Sequence, residues 1–220
     1  MKKIVIIFLL IFPVSTAYSQ SRTSIDQYPY EDDDPYAAQF GFKFGIGVSH
    51  LTHKAEGYGS IDYRSKTGFL FGTVIGARIK KNVMLQMELL YVNKGGSHDS
   101  DINIEDYKII LKYLEIPFLF KYCAEKGKKI RPNIYAGPVL SFIISSRLEG
   151  IWADGDITSV FSTADYGIGI GGGVDFIQKN NIIAFDVRFT LGFKDIYSED
   201  DAGIVMNNSN LTVSATIYID

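Results

Sequence analysis

The chain has 220 residues with a formal net charge of −3, 21 glycines, 14 tyrosines, 15 phenylalanines and a single cysteine. Such a balance makes no general case for nucleic-acid binding, and a lone Cys123 excludes an internal disulfide. No stretch beyond the N-terminus is long and apolar enough for a transmembrane helix, so the aromatic- and glycine-rich remainder points to an all-β exported protein.

Residues 1–19 read as a signal peptide. Lys2 and Lys3 precede the apolar run Ile4–Phe12, and Ala17-Tyr18-Ser19 supplies a small-x-small cleavage site before Gln20. Residues 20–38 form an acidic leader containing Glu31-Asp32-Asp33-Asp34-Pro35, with little that could bury itself. The barrel domain is expected over residues 39–220.

From there the chain alternates with period two, the signature of β-strands. Gln39–His50 sets Phe40, Phe42, Phe44, Ile46 and Val48 against Gly41, Lys43, Gly45, Gly47 and Ser49. Ser65–Lys80 sets Phe69, Phe71 and Ile75 against Leu70, Val74 and Arg78. After a tight turn at Lys81-Asn82, Val83–Asn93 sets Leu85, Met87, Leu89 and Tyr91 against Gln86, Glu88 and Leu90. Ile109–Tyr122 is the clearest case. Leu114, Ile116, Phe118, Phe120 and Tyr122 share one face, while Tyr113, Glu115, Pro117, Leu119 and Lys121 share the other.

Ile130–Arg147 follows, with Pro138 expected to mark a bulge or local break because it cannot donate to a ladder. Thr163–Gln178 opposes Tyr166, Ile168, Ile170 and Phe176 to Asp165, Asp175 and a glycine series. Asn181–Lys194 opposes Phe185, Val187 and Phe189 to Asp186, Arg188 and Lys194. Asn208–Ile219 closes the series.

Eight strands result, and their connections alternate. The links Leu51–Arg64, Lys94–Asp106, Leu148–Ser162 and Asp195–Asn207 are long, and the others are short. An up-and-down transmembrane barrel produces this pattern, with short periplasmic turns and long external loops. The fold class is therefore an all-β, eight-stranded antiparallel up-and-down transmembrane β-barrel. Its expected location is the outer membrane of a Gram-negative cell, with both termini periplasmic.

In such a barrel the apolar stripes face lipid. Phe42, Phe44, Phe69, Phe71, Ile116, Phe118, Phe120, Phe185 and Phe189 are the expected lipid-facing residues. Lys43, Arg78, Glu88, Glu115, Lys121, Asp175, Asp186, Arg188 and Lys194 are the expected lumen charges. An eight-stranded barrel is just wide enough for its own side chains, so these charges are expected to pair in a structural network and leave no open pore. The lumen glycines are expected to make room for long side chains from across the barrel. A secreted soluble ligand-binding barrel is the alternative, but so charged a stripe makes a poor calyx.

No constellation for chemistry emerges. Gly167 to Gly173 lies within a strand pattern and lacks the lysine–hydroxyl pair of a phosphate loop. His50, His53 and His98 lack zinc-ligand spacing. Cys123 has no histidine near it in sequence, and the acidic Asp154-Gly155-Asp156 and Glu199-Asp200-Asp201 lack the regular spacing of a calcium loop. Neither catalytic residues, metal nor cofactor are expected.

Several short motifs together resemble the PorT-like outer-membrane β-barrel family of the Bacteroidota. They are Gly41-Phe42-Lys43-Phe44-Gly45, Glu88-Leu89-Leu90-Tyr91 with Lys94-Gly95, Tyr113-Leu114-Glu115-Ile116-Pro117, Tyr135-Ala136-Gly137-Pro138 and Asp186-Val187-Arg188-Phe189. The resemblance runs from about Phe40 to Tyr218 and implies a small eight-stranded barrel without catalytic residues. The founding member of that family is linked to gliding motility and a dedicated secretion system. One departure is the terminal Tyr218-Ile219-Asp220, where many outer-membrane barrels end in an aromatic residue.

The functional expectation is a non-enzymatic barrel with an envelope structural, adhesion or complex-accessory role. Its partners would be outer-membrane lipid, the barrel-assembly machinery during biogenesis, and a protein met through the long links or the periplasmic side. A narrow transporter or protein-secretion component is the alternative.

Overall fold

The computed structural model describes residues 38–55, 59–62, 64–80, 82–98, 107–124, 129–150, 155–158, 164–178, 181–193 and 204–219. The expected signal peptide and nearly all of the leader lie outside them. The strands are β1 (Ala38–Ala55), β2 (Gly59–Asp62), β3 (Arg64–Lys80), β4 (Val83–His98) and β5 (Tyr107–Cys123). They continue with β6 (Ile130–Gly150), β7 (Gly155–Asp156), β8 (Ala164–Gln178), β9 (Asn181–Gly192) and β10 (Ile204–Ile219).

Every strand pairs antiparallel with its chain neighbour, and β10 returns to pair with β1 from Phe40↔Ile219 to Ala55↔Ile204. That last ladder closes an eight-stranded barrel of β1, β3, β4, β5, β6, β8, β9 and β10, which leaves no free edge along the wall. The two remaining strands are short additions beyond the wall. β2 folds back on the end of β1, and β7 on β6.

The alternation read from sequence is the alternation of the wall. Phe42, Phe44, Phe69, Phe71, Phe118, Phe120, Phe185 and Phe189 all point outward and are exposed. Ile116 also lies on the outward row, but half-buried. Phe69, Phe71 and Tyr91 stack on one another with ring centroids 5.1–6.3 Å apart. The inward row of β10, from Asn208 to Tyr218, is buried throughout.

Two expectations need correction, and a third is met in one of its two forms. The long links are shorter than the sequence implied, because strand continues into them. β1 runs to Ala55, β4 to His98 and β6 to Gly150, and β10 starts at Ile204. β6 has 21 residues, about twice the 9–11 that a tilted crossing needs. Lys94 is therefore not a loop residue but an inward-facing strand residue, buried at 3% exposure.

Pro138 gives the expected local break and not a bulge: the β5–β6 ladder lacks pairs at Phe118/Pro138 and Leu119/Gly137, while the register is kept. Pro117↔Val139 and Phe120↔Ala136 belong to one continuous alignment, and Pro138 faces Ile168 on its other side. The bulge between β5 and β6 sits instead at Lys112/Tyr113, and a second lies in β3 between Ser65 and Leu70.

The inward glycines serve next-door neighbours rather than side chains from across the lumen. A Cβ on Gly171 would lie 2.6 Å from the Tyr135 hydroxyl, and one on Gly41 2.9 Å from the Tyr218 ring. Both tyrosines stand on the adjacent, directly paired strand.

Gly95 combines both of its residue type's freedoms. Its φ is +146°, and an added Cβ would lie 2.0 Å from the Ile109 carbonyl oxygen. Ser49 Oγ accepts a hydrogen bond from the Gly95 amide at 2.9 Å and donates one to its carbonyl at 2.8 Å. Gly95→Ala is expected to cost more than about 1 kcal/mol. Urea titration of the folded band in micelles checks this, with Gly155→Ala, where the added methyl meets nothing within 4 Å, as the unchanged control.

Candidate functional site: the barrel lumen

The inward stripes bring most of the expected charges into contact at mid-barrel. Glu88, from β4, is the hub. Arg188 Nη2 donates to its two oxygens at 2.7 and 2.8 Å, Lys43 Nζ to Oε1 at 3.0 Å and Gln86 Nε2 to Oε1 at 2.6 Å. Lys43 also reaches Asp186 Oδ1 at 3.2 Å, and the Tyr135 hydroxyl donates to the same oxygen at 2.6 Å. Tyr218 adds a hydrogen bond from its hydroxyl to Gln86 Oε1 at 3.3 Å. The Arg188 guanidinium lies 5.3 Å from the centre of the Tyr135 ring.

Two cations and two carboxylates thus neutralise one another inside the wall, and five strands contribute: β1, β4, β6, β9 and β10. Lys43, Glu88, Asp186 and Arg188 are all buried. Charges so placed cost several kcal/mol each to desolvate unless paired and hydrogen-bonded. The geometry meets that requirement with charge-assisted hydrogen bonds of ordinary length.

Two smaller ion pairs flank the hub. Toward the short turns, Lys121 Nζ lies 3.0 Å from Asp175 Oδ1, which also accepts from Asn133 Nδ2 at 2.8 Å. Arg131 is the cross-strand partner of Asp175. Arg78 is half-buried near this end, on the inward row of β3. Toward the long links, Lys94 pairs with Glu115, and its ammonium sits 5.0 Å from the centre of the Tyr113 ring. Lys194 lies outside the described residues.

Apolar clusters pack around and between these charges: Val74 is the cross-strand partner of Glu88, and Met84 that of Arg78. Leu51, Leu70, Leu90, Val92, Ile109, Leu111, Tyr113 and Ile143 form one buried cluster in the half nearer the long links. Val74, Met84, Cys123, Ile182, Ala184 and Tyr218 form another in the half nearer the short turns. Leu51, Val74, Leu111 and Tyr113 have no exposed surface. A water-filled channel alongside them would leave some. The lumen is thus filled by ion pairs interleaved with buried apolar side chains, and Arg131 and Arg78 remain at the end nearer the short turns.

Sequence reasoning placed Lys43, Glu88, Glu115, Lys121, Asp175, Asp186 and Arg188 on inward rows, where they stand. It missed Lys94 and Arg131 as lumen charges. Lys94 was hidden by Gly95-Gly96, which reads as loop chemistry. Arg131 stands next to Pro132, where strand periodicity is weakest.

The motif pieces meet in this network. Lys94 of Lys94-Gly95 pairs with Glu115 of the Leu-Glu-Ile-Pro stretch. Glu88 of the Glu-Leu-Leu-Tyr stretch takes Lys43 and Arg188, and Tyr135 takes Asp186. Among the described residues, no group of three or more metal-ligating side chains converges. Free Cys123 is buried in the second apolar cluster. His50 Nδ1 lies 3.5 Å from Ser65 Oγ at the rim nearer the long links, and among the described residues no third group orients that pair.

The family profile described as "Outer membrane protein beta-barrel domain" matches residues 18–198. The chain belongs to that family. It is therefore an outer-membrane β-barrel protein, and the outward aromatic rows are its lipid-facing surface. The match stands at the level of the barrel domain and does not reach the narrower PorT-like group. No curated protein matches the chain.

Solved structures with a similar shape include Neisserial surface protein A, at 15% identity and TM-score 0.44, covering 80% of this chain and 96% of that one. OprG from Pseudomonas aeruginosa is similar at 12% identity and TM-score 0.46, over 84% of this chain and 93% of its own. The outer membrane protease OmpT from Escherichia coli aligns at 11% identity and TM-score 0.34, over 84% and 97%. No role is carried over from any of them.

Glu88→Gln removes the charge that two buried cations share. The expected loss is on the order of 3–5 kcal/mol of unfolding free energy, read as a lower urea midpoint of the folded band in micelles. Replacing Arg188 with Gln in the same chain should recover part of it, because the remaining Lys43 keeps Asp186. The exposed Glu149→Gln serves as the unchanged control.

Proposed function

We propose that this protein is a non-enzymatic, closed outer-membrane barrel that serves the envelope as a structural, adhesion or complex-accessory element. The observation that carries the reading is the filled lumen. Its central charges are engaged with one another, and buried apolar side chains pack on either side of the Glu88 hub. Among the described residues, nothing inside the wall is arranged to release a solute or to activate a nucleophile. With the outer wall committed to lipid, specific contact falls to the links and rims.

The orientation that fits is both termini in the periplasm and the long links outside, because outer-membrane barrels carry short periplasmic turns and longer external loops. The set of motifs centred on Leu114-Glu115-Ile116-Pro117 supports a place near the PorT-like group. That set is a lumen interlock, so it speaks for shared architecture rather than shared activity.

In planar bilayers the reconstituted protein is expected to give no steady ohmic channel of porin size. Such channels would move it to the transport class.

The contact role is tested by affinity purification through a C-terminal tag, repeated after residues 99–106 are replaced by a short Gly/Ser link. Starting at Asp99 spares Lys94 and its ion pair with Glu115. A partner lost only in the replacement supports external contact. A partner kept in both places the contact on the wall or the opposite rim. Recovery of the assembly machinery alone removes the support for a dedicated partner.

A further inference from the structure

The lipid-facing band has a chemically distinct border on one side. On β3 to β6 its last outward rows toward the long links are Phe69, Tyr91, Leu114 and Ile144. Immediately beyond them come Lys66, Lys108 and Lys112. Lys112 is the cross-strand partner of Asn93, and Lys66 Nζ lies 3.4 Å from Asn93 Oδ1. Lys108 stands four residues further along β5, beside Ser97 and Glu149 on the flanking strands.

Arg64 and Arg147 occupy the same rim, the latter beside Asp156. On the opposite side of the barrel, the outward residues at this height are Tyr166, Phe193 and Ser209. Among the described residues, the basic character is therefore one-sided.

Lys66 and Lys112 flank Asn93, and Lys108 lies ~13 Å further along β5, so three cations share this rim with Glu149 beside Lys108. The Lys66 ammonium is disfavoured first by its partial burial, then opposed by Glu149, and disfavoured again by Lys108 and Lys112. An anion placed among them would relieve that repulsion. A lysine just past an aromatic girdle lays its stem along the apolar surface and holds its ammonium at headgroup height. The anions found at that height are lipid phosphates.

We infer that Lys66, Lys108 and Lys112 form a docking surface for the phosphate-monoester headgroup of a membrane lipid at the long-link rim. The stacked rings of Phe69, Phe71 and Tyr91 lie beside its acyl chains. The inference rests on the membrane placement of the family and is independent of whether the lumen conducts.

The test measures the association of spin-labelled phosphatidic acid, relative to spin-labelled phosphatidylcholine, with the full protein in phosphatidylcholine vesicles. The wild type is expected to prefer phosphatidic acid. Each interfacial lysine is worth about fivefold, so the preference should fall about tenfold or more in the triple variant Lys66→Gln/Lys108→Gln/Lys112→Gln. It should fall about fivefold in Lys108→Gln alone, an exposed position that leaves packing untouched. The double variant Lys80→Gln/Lys129→Gln, at exposed positions of the opposite rim, should keep it. About 1 M salt, where the Debye length is ~3 Å, should suppress it.

Three results would overturn the inference. One is a wild type without preference, as expected if the acidic residues of the 99–106 link already neutralise the rim. Another is equal loss in the variants of the two rims. The third is loss of the preference to inorganic phosphate at constant ionic strength, which would mark a site for the free ion.

Discussion

The wall depends on one buried carboxylate. Glu88 is 1% exposed and holds two cations from strands that are far apart in sequence. Leaving it unpaired in that setting would cost several kcal/mol. The surrounding architecture supplies the pairing. β1 delivers Lys43 between Gly41 and Gly45 on its inward row, so the long side chain has space to reach inward. β9 delivers Arg188 and Asp186 two residues apart on the same face. The apolar side chains packed around it exclude water, which strengthens the attraction and raises the cost of any missing partner.

Much of this was legible in the sequence because a barrel wall imposes one rule on every strand. Alternate residues meet lipid, and the others meet the lumen, so the periodicity of Phe40 to Val48 recurs in Phe185 to Leu191 without exception. The alternation of short and long connections was readable for the same reason. Beyond the lipid band the rule stops. Lys94 to His98 and Leu148 to Gly150 are strand, yet neither has an apolar stripe, so nothing in their sequence marked them. Gly95 deepened the error, because a positive φ inside a strand looks like a turn from sequence alone. Pro138 was legible as a local break in the β5–β6 ladder. It loses one donor, but its neighbours hold the register on both sides.

The grouping of the lumen residues into apolar clusters and ion pairs was not legible, although they were assigned to the right face. Leu70, Val74 and Leu90 lie on the same inward stripes as Glu88 and Arg78. Reading along one strand averages them into a mixed polar row. A cluster forms only when residues from different strands reach the same height, and that height follows from the stagger of the ladders. Leu51 and Leu111 meet because the strands are offset as they are, and no single stripe records the offset.

That offset is what the ion pairs protect. Replacing buried ion pairs with well-packed apolar residues often costs nothing in stability, so stability alone does not account for charges here. Register does. A slip of one residue turns every side chain to the wrong face and is excluded by the lipid. A slip of two preserves the faces, and an apolar lumen would tolerate it. In this barrel, sliding β9 by two residues moves its inward row by ~7 Å. Depending on direction, Asp186 then arrives where Arg188 stood, and Glu88 meets a carboxylate instead of a guanidinium. The alternation of opposite charges at Asp186 and Arg188 thus penalises the one error that the aromatic rows cannot detect. The fixed stagger then sets which residues share a height, the two apolar clusters included.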